Sequence, residues 1–115
     1  GASIGLGCAF TPARKILDQG AALAIASDWN PGSAPMGDLL AQASILATFE
    51  KLSTAEVLAG ITFRAAAALG LNDRGKLAKG QLADFILFPT SNFHEIVYQQ
   101  GKLKPLQVWK NGNRV

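Results

Sequence analysis

A short apolar run that ends in a carboxylate constrains this chain more than any other feature. Residues Ala21 to Ala26 carry no polar side chain, follow a glycine, and lead into Ser27 and Asp28. A run of only six apolar residues is typical of a strand buried on both faces of a parallel sheet. Because ligands bind outside the carboxyl ends of such strands, the position of Asp28 predicts a functional site.

The stretch after Asp28 is a turn that contains two prolines, W-N-P-G-S-A-P from Trp29 to Pro35. The prolines restrict the loop, Gly32 lets backbone N–H groups approach a ligand closely, and Asn30 and Ser33 add neutral donors. Such a turn can hold a carboxylate. The plainer interpretation is turn chemistry that closes a strand, and the residues alone leave both interpretations open.

Composition limits the classes of partner. The chain has 115 residues, of which 49% are hydrophobic, so it can bury a core but is too short for a barrel of about 250 residues. Its net charge is +3 without a basic run, so no nucleic-acid partner is expected. One cysteine and one histidine allow neither an internal disulfide nor a Cys/His metal cluster. No stretch has the roughly 18 to 20 apolar residues of a membrane span, so we expect no membrane partner and a cytoplasmic location.

Three helices are predicted around the apolar run. Thr11 is the expected N-cap of the first helix and Asp38 that of the second, while Ser53 and Glu56 form a capping box for the third. Apolar residues recur at helical spacing in the last two, which indicates packing rather than chemistry. The expected ranges are Pro12–Gln19, Asp38–Lys51 and Ser53–Leu69.

The texture of the sequence changes at Leu71, where helical periodicity gives way to short strands and turns. An Asn-Gly pair at Asn111 and Gly112 is a strong hairpin signal. We therefore divide the chain into residues 1–71 and 72–115, and expect the second part to complete a sheet supplied by other residues. Its predicted strands are Ala83–Phe88, Leu106–Lys110 and Arg114–Val115.

Five motifs together resemble the C-terminal part of amidohydrolase-superfamily enzymes, over nearly the whole chain. They are the apolar run ending in Ser-Asp, WNPGSAP, LSTAEVLAGIT, ALGLNDRGKLAKGQLADFILF and WKNGNRV. Within the superfamily the chain is most similar to the imidazolonepropionase family, because D-x-N-P-G-S from Asp28 to Ser33 is its more specific signal.

The resemblance implies an α/β fold, the C-terminal portion of a metal-dependent (β/α)8 barrel (1–71) followed by strands of a small β-sandwich (72–115). It implies that one zinc or iron ion is bound by Asp28, which also shuttles protons. Asn30 and Gly32 would contact the propionate-derived end of the ligand, and Ser33 the imidazolone side. The implied reaction opens 4-imidazolone-5-propanoate to N-formimidoyl-L-glutamate in histidine degradation.

The chain departs from the family in its lack of histidine ligands. Its one histidine, His94, is far from Asp28 in sequence, and a catalytic zinc needs about three protein ligands. Besides the small-molecule substrate, the expected partner is therefore a missing N-terminal barrel segment, without which the chain is inactive; a homodimer is left open. Two alternatives remain, another amidohydrolase with a different cyclic amide or deaminase substrate, and a stand-alone non-catalytic module.

Overall fold

The computed structural model describes all residues from 1 to 115 and contains both helices and strands, in agreement with a mixed α/β chain. The helices are α1 (Ala2–Gly5), α2 (Ala13–Asp18), α3 (Leu39–Glu50), α4 (Thr54–Ile61), α5 (Phe63–Ala68) and α6 (His94–Tyr98). The strands are β1 (Phe85–Leu87), β2 (Gln107–Lys110) and β3 (Asn113–Arg114). None of the helices combines the length and apolar character that a bilayer crossing requires.

The hydrophobic core lies almost entirely among the first 71 residues. Alanine at many of its positions lets the helices approach closely, and Val57 of α4 is fully buried. Val97 of α6 is the one contribution from residues 72–115, and its carbonyl accepts a hydrogen bond from the Ser44 hydroxyl at 2.7 Å. The core residues are Ala13, Leu23, Ile25, Ala43, Ala47, Val57 and Val97. The division at residue 71 stays a prediction.

Local capping determines where two of the helices begin. The Asp38 carboxylate accepts from the N–H of Ala41 at 3.0 Å, and Ser53 and Glu56 form the reciprocal capping box, so both predictions are confirmed. The prediction for Thr11 is wrong, because α2 begins one residue later, with Pro12 at the N-cap and no side-chain cap.

The prediction of a strand buried on both faces from Ala21 to Ala26 is wrong for this structure. The segment is extended but belongs to no sheet, and only Leu23 and Ile25 are buried while the alanines are exposed. Its attachment to α4 includes a hydrogen bond from the Ile25 N–H to the Gly60 carbonyl at 3.0 Å. A parallel strand needs neighbouring strands as hydrogen-bond partners, and the 115 residues place none beside it.

One predicted helix is broken in the structure, and two short helices are present that were not predicted. The third predicted helix is broken at Thr62, whose hydroxyl donates to the Leu58 carbonyl at 2.6 Å, an interaction that bends helices. The short α1 precedes the first of the three predicted helices and was not among them. The helix α6 lies among the strands, and the Asn92 side chain accepts the N–H of His94 at 3.1 Å at its start.

The strands form one antiparallel sheet in the order β1-β2-β3, with Phe85 opposite Trp109. The Asn-Gly hairpin is confirmed, since β2 and β3 are joined by Asn111 and Gly112 with φ of 50° and 76°, as a type I′ turn requires. No strand residue is buried, and Ile86 is half exposed on β1, an edge strand.

Candidate active site

The extended segment carries Asp28 to the edge of the helical core. Leu23 and Ile25 anchor the segment in the core, and α4 lies close against it at Gly60, where an added β-carbon would stand 3.0 Å from the Ile25 side chain. Asp28 itself has φ of 50°, the left-handed region that few non-glycine residues occupy. Backbone strain of this kind is concentrated at functional sites.

The side chain of Asn30 organises the turn after Asp28. Its Oδ1 accepts the backbone N–H groups of Gly32 at 3.0 Å and Ser33 at 2.8 Å. Its Nδ2 donates to the Asp28 carbonyl at 2.8 Å, and its own N–H pairs with Ala34 at 3.1 Å. The turn is therefore closed by one side chain that uses both ends of its amide.

A cleft of about 210 Å³ opens beside Asp28, between the extended segment, α1 and α3. Apolar side chains supply much of the lining, among them Phe10 and Leu46, and Asp28 carries its one charged side chain. The carboxylate of Asp28 forms no ion pair or hydrogen bond, since only its backbone carbonyl is engaged. It is thus free to contact a ligand or a metal.

The predicted site residues are neighbours in the turn but do not all face this cleft. Asp28 lines it, whereas Asn30, Gly32 and Ser33 lie outside its lining. The N–H groups that sequence analysis assigned to ligand binding point at Asn30. Trp29 is largely exposed, and its indole N–H donates to the Pro35 carbonyl at 3.2 Å, which ties the two ends of the turn together.

Gln42 is the residue of the cleft that sequence analysis missed. It is buried on α3 and lines the cleft, although its helix was assigned to packing. The only signal in the sequence was one amide within the apolar run LLAQASILATF. Its proximity to Gly1 depends on the folding of a distant segment, so spacing alone could not predict its place in the cleft.

The chain's residues fit one position of a metal centre but not a complete one. No group of three or more His, Cys, Asp or Glu side chains comes together, whereas a catalytic zinc takes about three protein ligands. Asp28 offers a free carboxylate at the cleft, which suits a single ligand. His94 lies outside the cleft lining, and its ring bonds to the Thr54 hydroxyl at 3.0 Å.

The charged groups with shifted pKa values belong to other parts of the molecule. Hydrogen bonds from the N–H and hydroxyl of Ser53, and then from Arg14, hold the pKa of Glu56 below its usual value. Arg14 donates to Glu56 at 2.9 Å and to Asp18 at 2.8 Å, and the bond to Glu56 contributes most to its raised pKa. This network connects α2 to the start of α4 and is structural.

Comparison with known proteins identifies the class to which this fold and site belong. The model of the amidohydrolase family matches residues 7–115, so the chain belongs to the amidohydrolase family. The chain is 38% identical over 115 residues to an imidazolonepropionase of Deinococcus deserti, covering 100% of this chain and 29% of the relative. It is 41% identical over 93 residues to one of Alteromonas mediterranea, covering 81% of this chain and 22% of the relative. The chain thus spans less than a third of the length of these relatives.

A solved structure shares the fold. An adenosine deaminase from Xanthomonas campestris with bound zinc matches 98% of this chain and 30% of its own, with a TM-score of 0.79 and 24% identity. At this identity the likeness concerns the fold alone. The resemblance to amidohydrolases inferred from the motifs is confirmed, and the chain has the fold of part of a barrel-type amidohydrolase.

Proposed function

We propose that a full-length protein carrying this chain opens the ring of 4-imidazolone-5-propanoate to give N-formimidoyl-L-glutamate, a step of histidine degradation. The observation that carries the proposal is the 38% identity with an imidazolonepropionase over the whole length of this chain, which covers 29% of that relative. The other relatives compared, at 35% to 41% identity, carry the same name.

In this proposal Asp28 supplies one ligand to a zinc or iron ion and moves a proton. When bound, such an ion would lower the pKa of a water molecule enough for it to act as a nucleophile near neutral pH. Hydrolysis adds the water oxygen to the ring carbonyl carbon and breaks the bond from that carbon to the ring nitrogen. The Asp28 carboxylate accepts the proton that the water loses and returns it to the departing nitrogen. Its lack of competing partners supports this role.

The turn after Asp28 holds the substrate in the same proposal. Asn30 and Gly32 lie at the propanoate end, and Ser33 contacts the imidazolone side. Asn30 also fixes the loop through its bonds to Gly32 and Ser33, so it contributes both shape and contact. The remaining metal ligands come from a barrel segment outside these 115 residues. Residues 72–115 contribute strands to a small β-sandwich, and the protein acts in the cytoplasm.

The test is an assay of the full-length protein with two substrates. We expect 4-imidazolone-5-propanoate to be converted to N-formimidoylglutamate, detected by mass spectrometry, and adenosine to remain unchanged. The 115-residue chain is the control, and we expect it to be inactive and to retain no zinc after dialysis, because it supplies one carboxylate. Turnover of adenosine or of another cyclic amide, with none of the imidazolone, would overturn the assignment.

A further inference from the structure

Gln42 is a buried polar residue that the proposed reaction does not use. Only 6% of it is exposed, it lines the same cleft as Asp28, and its Oε1 has no hydrogen-bond partner. Buried acceptors are almost always paired in folded proteins, because an unpaired one loses its hydration without compensation. The unpaired Gln42 Oε1, in the same cleft as the free Asp28 carboxylate, therefore indicates a place where a ligand can donate a hydrogen bond.

The orientation of the Gln42 amide is determined by its other end. Its Nε2 donates to the Met36 carbonyl. A carbonyl only accepts, so turning the amide over would set two oxygens against each other. The nitrogen is thus committed to Met36, and Oε1 is left to accept from another donor.

The element that covers this oxygen is weakly held. A β-carbon added to Gly1 would stand 2.9 Å from Oε1, so Gly1 packs close to this oxygen. Gly1 precedes α1, which has four residues, no buried residue and no side-chain cap. A helix this short has little stability of its own, so a ligand entering the cleft can displace it at low cost.

We propose that Gln42 is a substrate-binding residue whose Oε1 accepts a hydrogen bond from a ring N–H of a cyclic amide. Asp28 also presents a free acceptor in the cleft, beside the hydroxyls of Ser3 and Thr11, and Phe10, Ile25 and Leu46 present apolar surface for a flat ring. The Asp28 carboxylate and the Gln42 Oε1 only accept, whereas a hydroxyl also donates, so these two groups favour a ligand that donates through nitrogen over one that only accepts. The proposed function supplies the class of ligand, and the geometry of Gln42 supplies the contact.

The test compares two probes on the 115-residue chain, followed by NMR of its ¹⁵N-labelled side-chain amides. Hydantoin is a stable cyclic amide with two ring N–H groups, and 1,3-dimethylhydantoin has none. We expect hydantoin to bind about tenfold more tightly and to shift the Gln42 amide signals. In Gln42→Met, which keeps the size but removes the acceptor, the two probes should bind equally weakly.

A matched control is Gln81→Met, because Gln81 also has a buried, unpaired Oε1 but lies outside the cleft. We expect it to leave the preference for hydantoin unchanged. If Gln42→Met does not fold, the comparison of the two probes on the unaltered chain decides the question. Equal binding of both probes there, no binding of either, or a preference that persists in folded Gln42→Met overturns the proposal.

The readout requires neither metal nor turnover, which separates this inference from the proposed function. A preference for hydantoin that depends on Gln42, in a protein whose full-length form does not hydrolyse the imidazolone, would refute the function alone. Hydrolysis of the imidazolone without a role for Gln42 in probe binding would refute this inference alone.

Discussion

Arg14 and Asp28 both lie in residues 1–71, but only the Arg14 side chain has charged partners. The Arg14 guanidinium is paired with Asp18 and Glu56, and Glu56 also accepts from Ser53, so each of these groups has a partner. The Asp28 carboxylate has none.

The difference separates groups that hold the fold from groups that are available to a ligand. The network around Arg14 joins two helices and needs nothing more to be satisfied. Asp28, by contrast, combines an unpaired charge with a strained backbone, and the unpaired Oε1 of Gln42 lies in the same cleft. Violations of local rules that coincide in one place are expected at functional sites. Changes at the two clusters should therefore affect different measurements.

The largest effect is expected from Asp28→Asn in the full-length protein. The change keeps the size but removes the base, so kcat should fall by roughly 10² to 10⁴. Thermal stability should stay unchanged, because Asn tolerates φ of 50° at least as well as Asp. Metal content must be measured beside kcat.

The matched control for that variant is Asp73→Asn, since Asp73 is an exposed aspartate paired with Arg74 at 2.9 Å. It should retain normal kcat. Near-normal kcat in Asp28→Asn with metal bound would make Asp28 a turn residue and remove the contrast between the clusters.

A smaller effect is expected from Asn30→Ala in the same protein. The change removes a substrate contact together with the acceptor for Gly32 and Ser33. The transition-state stabilisation measured by kcat/KM should therefore fall by about 1.5 to 3 kcal/mol. Asn30→Asp keeps the acceptor but loses the donor to Asp28 and sets a negative charge beside the propanoate, so we expect it to lower kcat/KM at least as much as Asn30→Ala does. Unchanged kcat/KM in Asn30→Ala would show that the turn neither needs Asn30 nor binds substrate through it.

The opposite behaviour is expected from Ser53→Ala. Loss of the N-cap should lower the free energy of unfolding by about 1 kcal/mol while leaving kcat unchanged, because Ser53 is remote from the cleft lining. Urea unfolding and steady-state kinetics on one preparation measure both quantities. Ser53→Thr, which keeps the hydroxyl that caps the helix and donates to Glu56, is the control. A loss of kcat without a loss of stability would contradict the separation of roles.

The smallest effect is a dependence of stability on pH through Glu56. Its folded pKa lies below the unfolded value of about 4.3, so its stabilising contribution is present above that value and is lost as pH falls through the folded pKa. The difference in unfolding free energy between the unaltered chain and Glu56→Gln should therefore shrink as pH is lowered below about 4.3. Urea titrations at several pH values measure it. A difference that stays constant would mean that the carboxylate charge contributes nothing.

The sequence was sufficient for several features that are decided by neighbours along the chain, although it misplaced the Thr11 cap. The Asp38 cap and the Ser53–Glu56 capping box involve residues three apart, and the Asn111–Gly112 turn needs only two residues that accept positive φ. Whether Ala21–Ala26 pairs in a sheet depends on strands that are far away in sequence. Its apolar character alone therefore did not determine its hydrogen-bond partners.

The sequence also predicted the candidate site only in part. Asp28 could be identified from its place at the end of an apolar run, and the structure puts it at a cleft. The capture of the Gly32 and Ser33 N–H groups by Asn30 could not be foreseen, because one motif can present those donors either to a ligand or to its own side chain. The roles assigned to Asn30, Gly32 and Ser33 stay predictions.

The outer edge of β1 has a consequence for handling the chain in solution. One side of Phe85–Leu87 pairs with β2, and the other side leaves its backbone groups free beside the exposed Ile86. Such an edge is a template on which the strands of further molecules add, so it nucleates aggregation. We expect light scattering from the isolated chain to rise steeply with concentration, and a lysine in place of Ile86 to suppress it.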